Sequence, residues 1–265
     1  MKRILASATV MIILSSAAVA DQVTLSFPDV SELPIHSVEQ AKAKANIIAL
    51  IGGNGLKNSQ GNSKNFLVTQ RADFIAAGLN FYLFPNRSED EKASYKLRGS
   101  EERAARILNL TKEINKRNKL PIYLVGFSRG SVDAAKFSKL FPDHIKGIVL
   151  ASGVYTNSSK KAEFYSMERI LGSTVNVGVL VAHHEKDFCN VTPFSYAKDF
   201  CKVTPFTYAK DFFEELEAPR KAFLSYKDGG ASGRECGPLN HHGFEDIQDR
   251  VANDIAQWIA VDSDK

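Results

Sequence analysis

A mostly parallel α/β sheet with helices on both faces is the fold class this sequence predicts, and three observations predict it. Short, continuously apolar runs alternate along the chain with segments whose apolar residues recur at helical spacing. One such run, Ala45-Asn-Ile-Ile-Ala-Leu-Ile51, leads directly into Gly52-Gly-Asn-Gly55, as expected of a buried parallel strand that ends in a tight loop. Another, Pro121-Ile-Tyr-Leu-Val, leads into Gly126-Phe-Ser128-Arg-Gly130 and then into a helical run. A serine flanked by glycines at a strand-to-helix turn has its hydroxyl pushed out over the end of the sheet. An ordinary turn with a solvent-facing serine is the bland alternative, and the residues downstream weigh against it.

Taken in order, Val23-Thr-Leu-Ser-Phe27 is the first predicted strand and Ala45 to Ile51 the second. A polar stretch rich in Gly, Asn and Ser follows to Asn65. Phe66 to Ala77 then carries apolar residues at helical spacing until Gly78 stops it. Phe81-Tyr-Leu-Phe84, closed by Pro85, is a strand, and the charged segment from Arg87 to Arg98 is expected to be a surface loop. Ser100 stands as an N-cap, with Glu101 and Glu102 where a helix dipole favours them; Ala104, Ile107, Leu108, Thr111 and Ile114 line one face behind it. The strand after Pro121, its helix to Leu140, and strands at Gly147 to Ala151, Val177 to Ala182 and Lys221 to Tyr226 continue the alternation. A last helix is expected over about Phe244 to Ile259, with Ile247, Val251, Ile255 and Trp258 on its apolar side.

Lys2 and Arg3 precede an apolar run from Ile4 to Leu14 and then Ala18-Val-Ala20, the pattern of an export signal peptide cleaved after Ala20. The run falls short of the ~20 apolar residues a spanning helix needs, and no later segment reaches that length, so no stable membrane insertion is expected. The chain therefore divides into a leader over residues 1–20 and one domain over residues 21–265, with the product periplasmic or secreted. Hydrophobic residues make up 44% of the chain, enough for a sizeable core. The formal charge of +4 falls to +2 when Lys2 and Arg3 leave. So small an excess of bases, with no dense basic patch, gives no sign of a nucleic-acid partner. The three cysteines, Cys189, Cys201 and Cys236, lack the spacing of a zinc site.

A serine hydroxyl becomes a strong nucleophile when a base takes its proton and a carboxylate orients that base. In the architecture that the Gly-x-Ser-x-Gly turn marks, these groups come in the order Ser, Asp or Glu, His. Ser128 is followed by Asp187, just past the strand ending at Ala182, and by His242, past the strand ending at Tyr226. Each lies beyond the carboxyl end of a predicted strand, where sites form in such sheets. His241 competes with His242, which is preferred because Gly243 and Phe244 follow it directly. His183 and His184, at the strand end, are expected to shape the acid loop; a metal pair with Glu185 is disfavoured, since adjacent residues of an extended segment face opposite ways. Negative charge developing on the substrate needs backbone N–H donors. Arg129 would supply one, and Gly53 or Asn54 in the early glycine loop the other.

These residues resemble the α/β-hydrolase superfamily, in particular small bacterial serine hydrolases of the dienelactone-hydrolase-like or esterase-like kind. The resemblance runs from about Ala45 to Ile259 and rests on Ile51-Gly-Gly-Asn-Gly55, Asn65-Phe-Leu-Val, Gly126-Phe-Ser-Arg-Gly130, His183-His-Glu-Lys-Asp187-Phe-Cys189, Thr192-Pro and Cys236…His242-Gly-Phe. It implies an eight-stranded α/β-hydrolase sheet and the triad Ser128, Asp187 and His242. The chain departs from the pattern in two ways. The segment from Ser152 to Val177 is short for a cap, so little or no cap domain is expected. Lys186 to Ala197 is also repeated at once as Lys198 to Ala209, with two of twelve positions changed. The repeat offers a second acid, Asp199, and a second bridge partner, Cys201, to set against Asp187 and Cys189. A Cys189–Cys236 disulfide, or alternatively one from Cys201, would staple the acid and base loops together in an oxidising compartment. The expected activity is hydrolysis of a carboxylic ester or related acyl bond of a small-molecule substrate, with no metal or organic cofactor. A peptidase or acyltransferase on the same triad, or a non-catalytic binding protein on this scaffold, are the alternatives.

Overall fold

The computed structural model describes residues 21–156, 162, 164–189 and 206–263. Along the chain, β1 (Asp21–Leu25), β2 (Ile35–Glu39) and β3 (Ala45–Leu50) lead into α1 (Phe66–Thr69), α2 (Arg71–Ala76) and β4 (Leu79–Leu83). Then come α3 (Tyr95–Arg98), α4 (Glu101–Arg117), β5 (Ile122–Phe127), α5 (Gly130–Leu140) and β6 (Gly147–Ala151). The remainder comprises α6 (Met167–Leu171), β7 (Gly178–His184), α7 (Phe206–Glu215), β8 (Lys221–Tyr226) and α8 (Gln248–Ser263). One open sheet holds all eight strands in the order β1-β2-β4-β3-β5-β6-β7-β8. The pairs β1–β2 and β2–β4 are antiparallel, and every other pair is parallel.

The continuous apolar runs are explained by burial on both faces. Along β3, Ile48 and Leu50 point into one core while Ile47 and Ala49 point into the other. Along β5, Leu124 and Val125 divide in the same way. The first core is covered by α4, α5, α6 and α7, and the second by α1, α2 and α8, so helices lie on both sides of the sheet. This is the expected eight-stranded, mostly parallel architecture.

Several local expectations change. The first strand is Asp21–Leu25 rather than Val23 to Phe27, because its register is set by β2, a strand the pattern did not reveal. β2 carries His36 and Ser37, which break the apolar signal; Ser37 is buried and its hydroxyl donates to the Val23 carbonyl at 2.9 Å. The helix expected over Phe66 to Ala77 is divided at Gln70, whose ψ of 15° leaves helical geometry. The segment from Arg87 to Arg98, expected as a surface loop, ends in α3, and Arg98 is only 1% exposed. Its charge is met by Asp133, which is equally buried. The last helix starts at Gln248 instead of Phe244, because Phe244 and Asp246 take φ of +58° and +63°. Ser100 does cap its helix, accepting from the Arg103 amide at 3.2 Å.

The leader and its cleavage point at Ala20 lie outside the described residues, as do Asp199, Cys201 and the stretch around Thr192. Among the described residues, no helix is long and apolar enough to cross a membrane.

Candidate active site

Ser128 follows β5 directly and takes a φ of +52°, a left-handed conformation that costs a residue with a side chain on the order of 1–3 kcal/mol. Its amide donates to the Ala151 carbonyl of the neighbouring strand at 2.8 Å, which fixes the turn. The two flanking glycines answer to space. A methyl group on Gly126 would meet the backbone of Gly130 and Ser131, and one on Gly130 would run into the Leu50 carbonyl. Gly52 is held to the same rule by the Ser128 turn, since its Cβ would come within 2.8 Å of the Ser128 Cβ. Ser128 is partly exposed at the carboxyl end of the parallel strands, and α5 begins two residues later.

Asp187 lies three residues past β7, in a turn closed by its own amide on the His184 carbonyl at 3.0 Å. One carboxylate oxygen accepts from the Cys189 amide at 2.9 Å, and the other stands 2.8 Å from His242 Nδ1 and 3.5 Å from His183 Nε2. Both Asp187 and His242 are buried. Burial alone would raise the Asp187 pKa, but the charge and hydrogen bond of His242, with His183 and the Cys189 amide, outweigh it and hold the group below its ordinary 3.8. A carboxylate at that position fixes the proton of His242 on Nδ1 and leaves Nε2 free to accept one. His242 sits in a 3₁₀ turn at residues 241–243, beyond β8. Three contacts lock it there. The buried Ser152 hydroxyl donates to the His242 carbonyl at 2.8 Å, and the Gln248 side chain donates to the Gly243 carbonyl at 2.7 Å. The Phe127 ring, adjacent in sequence to Ser128, lies 5.2 Å from the imidazole.

His241, the alternative to His242, and His184 are placed elsewhere, while His183 also stands against Asp187. His241 stacks on His184 at 4.4 Å. His184 receives the Lys186 amide at Nδ1 and faces the Asp228 carbonyl through Nε2, and burial lowers its pKa. His183 points to the opposite side of β7, against Tyr155.

The glycine loop packs behind Ser128. Its turn is closed by the Gly55 amide on the Gly52 carbonyl at 3.1 Å, and Gly53, at φ +59°, occupies the first central position. Among the described residues, no acceptor within the chain takes the amides of Gly53, Asn54 or Arg129. The carbonyls of this loop face the other way, toward Arg98 and Asn86. Sequence patterning missed Arg98, Asp133 and Ser152, whose partners lie far along the chain.

Cys189 and Cys236 form a disulfide. It joins the acid loop to the loop that precedes His242, across a separation of 47 residues. Closing a loop of that length removes about 4 kcal/mol of chain entropy from the unfolded state. The Cys189→Ser, Cys236→Ser double variant should therefore lose ~2–4 kcal/mol of unfolding free energy, measured by denaturant titration against the oxidised wild type. No loss would show that the bond leaves the stability of the fold unchanged.

No protein-family model and no curated protein matches the chain. Solved structures do. A dienelactone hydrolase from Anabaena variabilis superposes with a TM-score of 0.58 at 13% identity, over 92% of this chain and 96% of its own. Est1E from Butyrivibrio proteoclasticus gives 0.61 at 10% identity, over 92% and 99%. A post-proline cleaving enzyme from Rickettsia typhi gives 0.59 at 12% identity, over 92% of this chain and 37% of its own. The chain has the α/β-hydrolase fold. At such identities the likeness carries the fold, and the chemistry must be argued from the residues.

Proposed function

We propose that this chain is an exported serine hydrolase that cleaves a carboxylic ester through an acyl-enzyme. The observation that carries this reading is the buried Asp187–His242 pair at 2.8 Å, with the ring of Phe127, the residue before the strained and partly exposed Ser128, 5.2 Å from the imidazole. Ser128 Oγ attacks the acyl carbonyl as His242 Nε2 takes its proton. Asp187 holds the imidazole and steadies the cation that forms. The amides of Arg129 and of Gly53 or Asn54 receive the oxygen on which negative charge develops. His242 then protonates the departing alcohol, and water, deprotonated by the same imidazole, releases the acid and restores the serine. These steps need no metal or organic cofactor. Export rests on the leader pattern together with the disulfide, since such bonds persist in oxidising compartments.

A panel of short p-nitrophenyl esters set against aminoacyl amides, with a fluorophosphonate probe, tests the proposal. Ester turnover with stoichiometric labelling of Ser128 supports it. Faster amide cleavage would make the protein a peptidase on the same residues, and transfer to an added alcohol or amine in preference to water an acyltransferase. An unlabelled, folded protein would mark a binding protein on this scaffold and end the proposal.

A further inference from the structure

The charged cluster beneath the glycine loop is absent from the mechanism just given, yet it is tied to both sides of the oxyanion site. Arg98 is 1% exposed and uses its whole fork. Nε donates to the Ala93 carbonyl at 3.1 Å, Nη1 pairs with Asp133, and Nη2 donates to the Ile51 carbonyl at 2.9 Å. The same Nη2 stands 3.5 Å from the Gly52 carbonyl and 3.4 Å from that of Gly53. The next carbonyl, of Asn54, accepts from the Asn86 side chain at 2.9 Å and from the Ala93 amide at 3.1 Å. Four consecutive carbonyls thus point into one buried polar cluster.

We propose that Arg98 is a positioning residue for the oxyanion loop: anchored by Asp133, its guanidinium holds the carbonyls of residues 51–53 and so aims the amides of Gly53 and Asn54 at the site. Peptide planarity supplies the link. Among the described residues there is no cis peptide, and in a trans peptide the N–H of one residue is antiparallel to the C=O of the residue before it. The Gly52 carbonyl, held by Arg98 together with the Gly55 amide, therefore directs the Gly53 amide away from Arg98, and fixing the Gly53 carbonyl on Arg98 does the same for Asn54. Among the described residues, neither of these amides has an acceptor. Asp133 extends the geometry to the other donor, because it stands on the first turn of α5, the helix that Arg129 opens. One ion pair thereby sets the distance between two donors that come from separate parts of the chain.

Stability alone gives no reason for such a pair. A buried ion pair rarely outperforms well-packed apolar residues of the same volume. Here one carboxylate is shared by two arginines, with Arg103 Nε on the second Asp133 oxygen at 2.6 Å. Burial lowers the Arg98 pKa to about 10 despite Asp133. A lysine would keep the charge but not the planar fork that reaches four carbonyls and a carboxylate at once.

The inference rests on the proposed ester hydrolysis and is tested in the full-length exported protein with Arg98→Lys and Asp133→Asn. Three readouts are compared with wild type: thermal melting, kcat and KM on p-nitrophenyl acetate, and inhibition by a phenylboronic acid, whose adduct places an oxygen in the oxyanion site. Arg98→Lys should lower kcat about 10²–10³-fold with KM within about threefold, and weaken boronate binding in parallel with kcat. Asp133→Asn should shift the same two quantities in the same direction by a smaller factor. Wild-type kcat in a folded Arg98→Lys protein, or a rise in KM alone, overturns the proposal. So does unfolding of both variants, which assigns the pair to the stability of the fold. A wild-type protein with neither turnover nor probe labelling would instead sink the hydrolase reading itself.

Discussion

Ser128→Ala is expected to leave a folded protein that hydrolyses p-nitrophenyl acetate on the order of 10⁴ to 10⁶ times more slowly than wild type. In the proposed mechanism the Ser128 hydroxyl oxygen is the atom that forms the acyl bond. Folding should survive because alanine at φ +52° bears the same backbone cost as serine, so the substitution removes the nucleophile and leaves the turn as it was. Residual turnover would come from water attacking a carbonyl whose oxygen is held by the oxyanion donors. Steady-state kinetics, fluorophosphonate labelling and a melting curve on one preparation check all parts. Substantial turnover with the melt unchanged would end the assignment of Ser128.

The second large effect separates the two copies of the repeat. Asp187→Asn should lower kcat by about 10⁴-fold, because an amide offered to His242 Nδ1 favours the tautomer with its proton on Nε2, where the serine proton has to go. Asp199→Asn should stay near wild type. The inverse pair of results would place the second copy at the site. The pH behaviour follows from the same carboxylate. Its pKa is depressed in the folded protein, so the stability it contributes is complete above its ordinary value of 3.8 and is lost as pH falls through the lower folded value. Wild type and Asp187→Asn should therefore converge in stability only in strong acid, below that ordinary value, in urea melts taken along a pH series.

The residues that were legible in the sequence are those whose signal is local. A glycine-flanked serine between an apolar strand and a helix declares its geometry within a dozen residues, and Asp187 and His242 could be picked out because each follows a strand that is itself obvious. Much of what supports them is not local. The Arg98–Asp133 pair joins side chains 35 positions apart, and Ser152 meets the His242 carbonyl across 90. A charged segment such as Arg87 to Arg98 reads as solvated until the buried partner is known. β2 was hidden because its buried positions include a serine that is satisfied by a hydrogen bond, and hydropathy cannot register that. The start of α8 was misplaced because Phe244 suits the apolar face of a helix yet packs between Phe66, Phe127 and Tyr226 from a left-handed turn.

The left-handed serine has an evolutionary corollary. At φ +52° glycine is the residue that position favours on thermodynamic grounds, and Ser128→Gly should relax the turn. Any lineage released from selection on turnover would find that change stabilising and easy to fix. A serine kept there in the face of that drift would record continuing selection for catalysis, legible in related genomes without an assay.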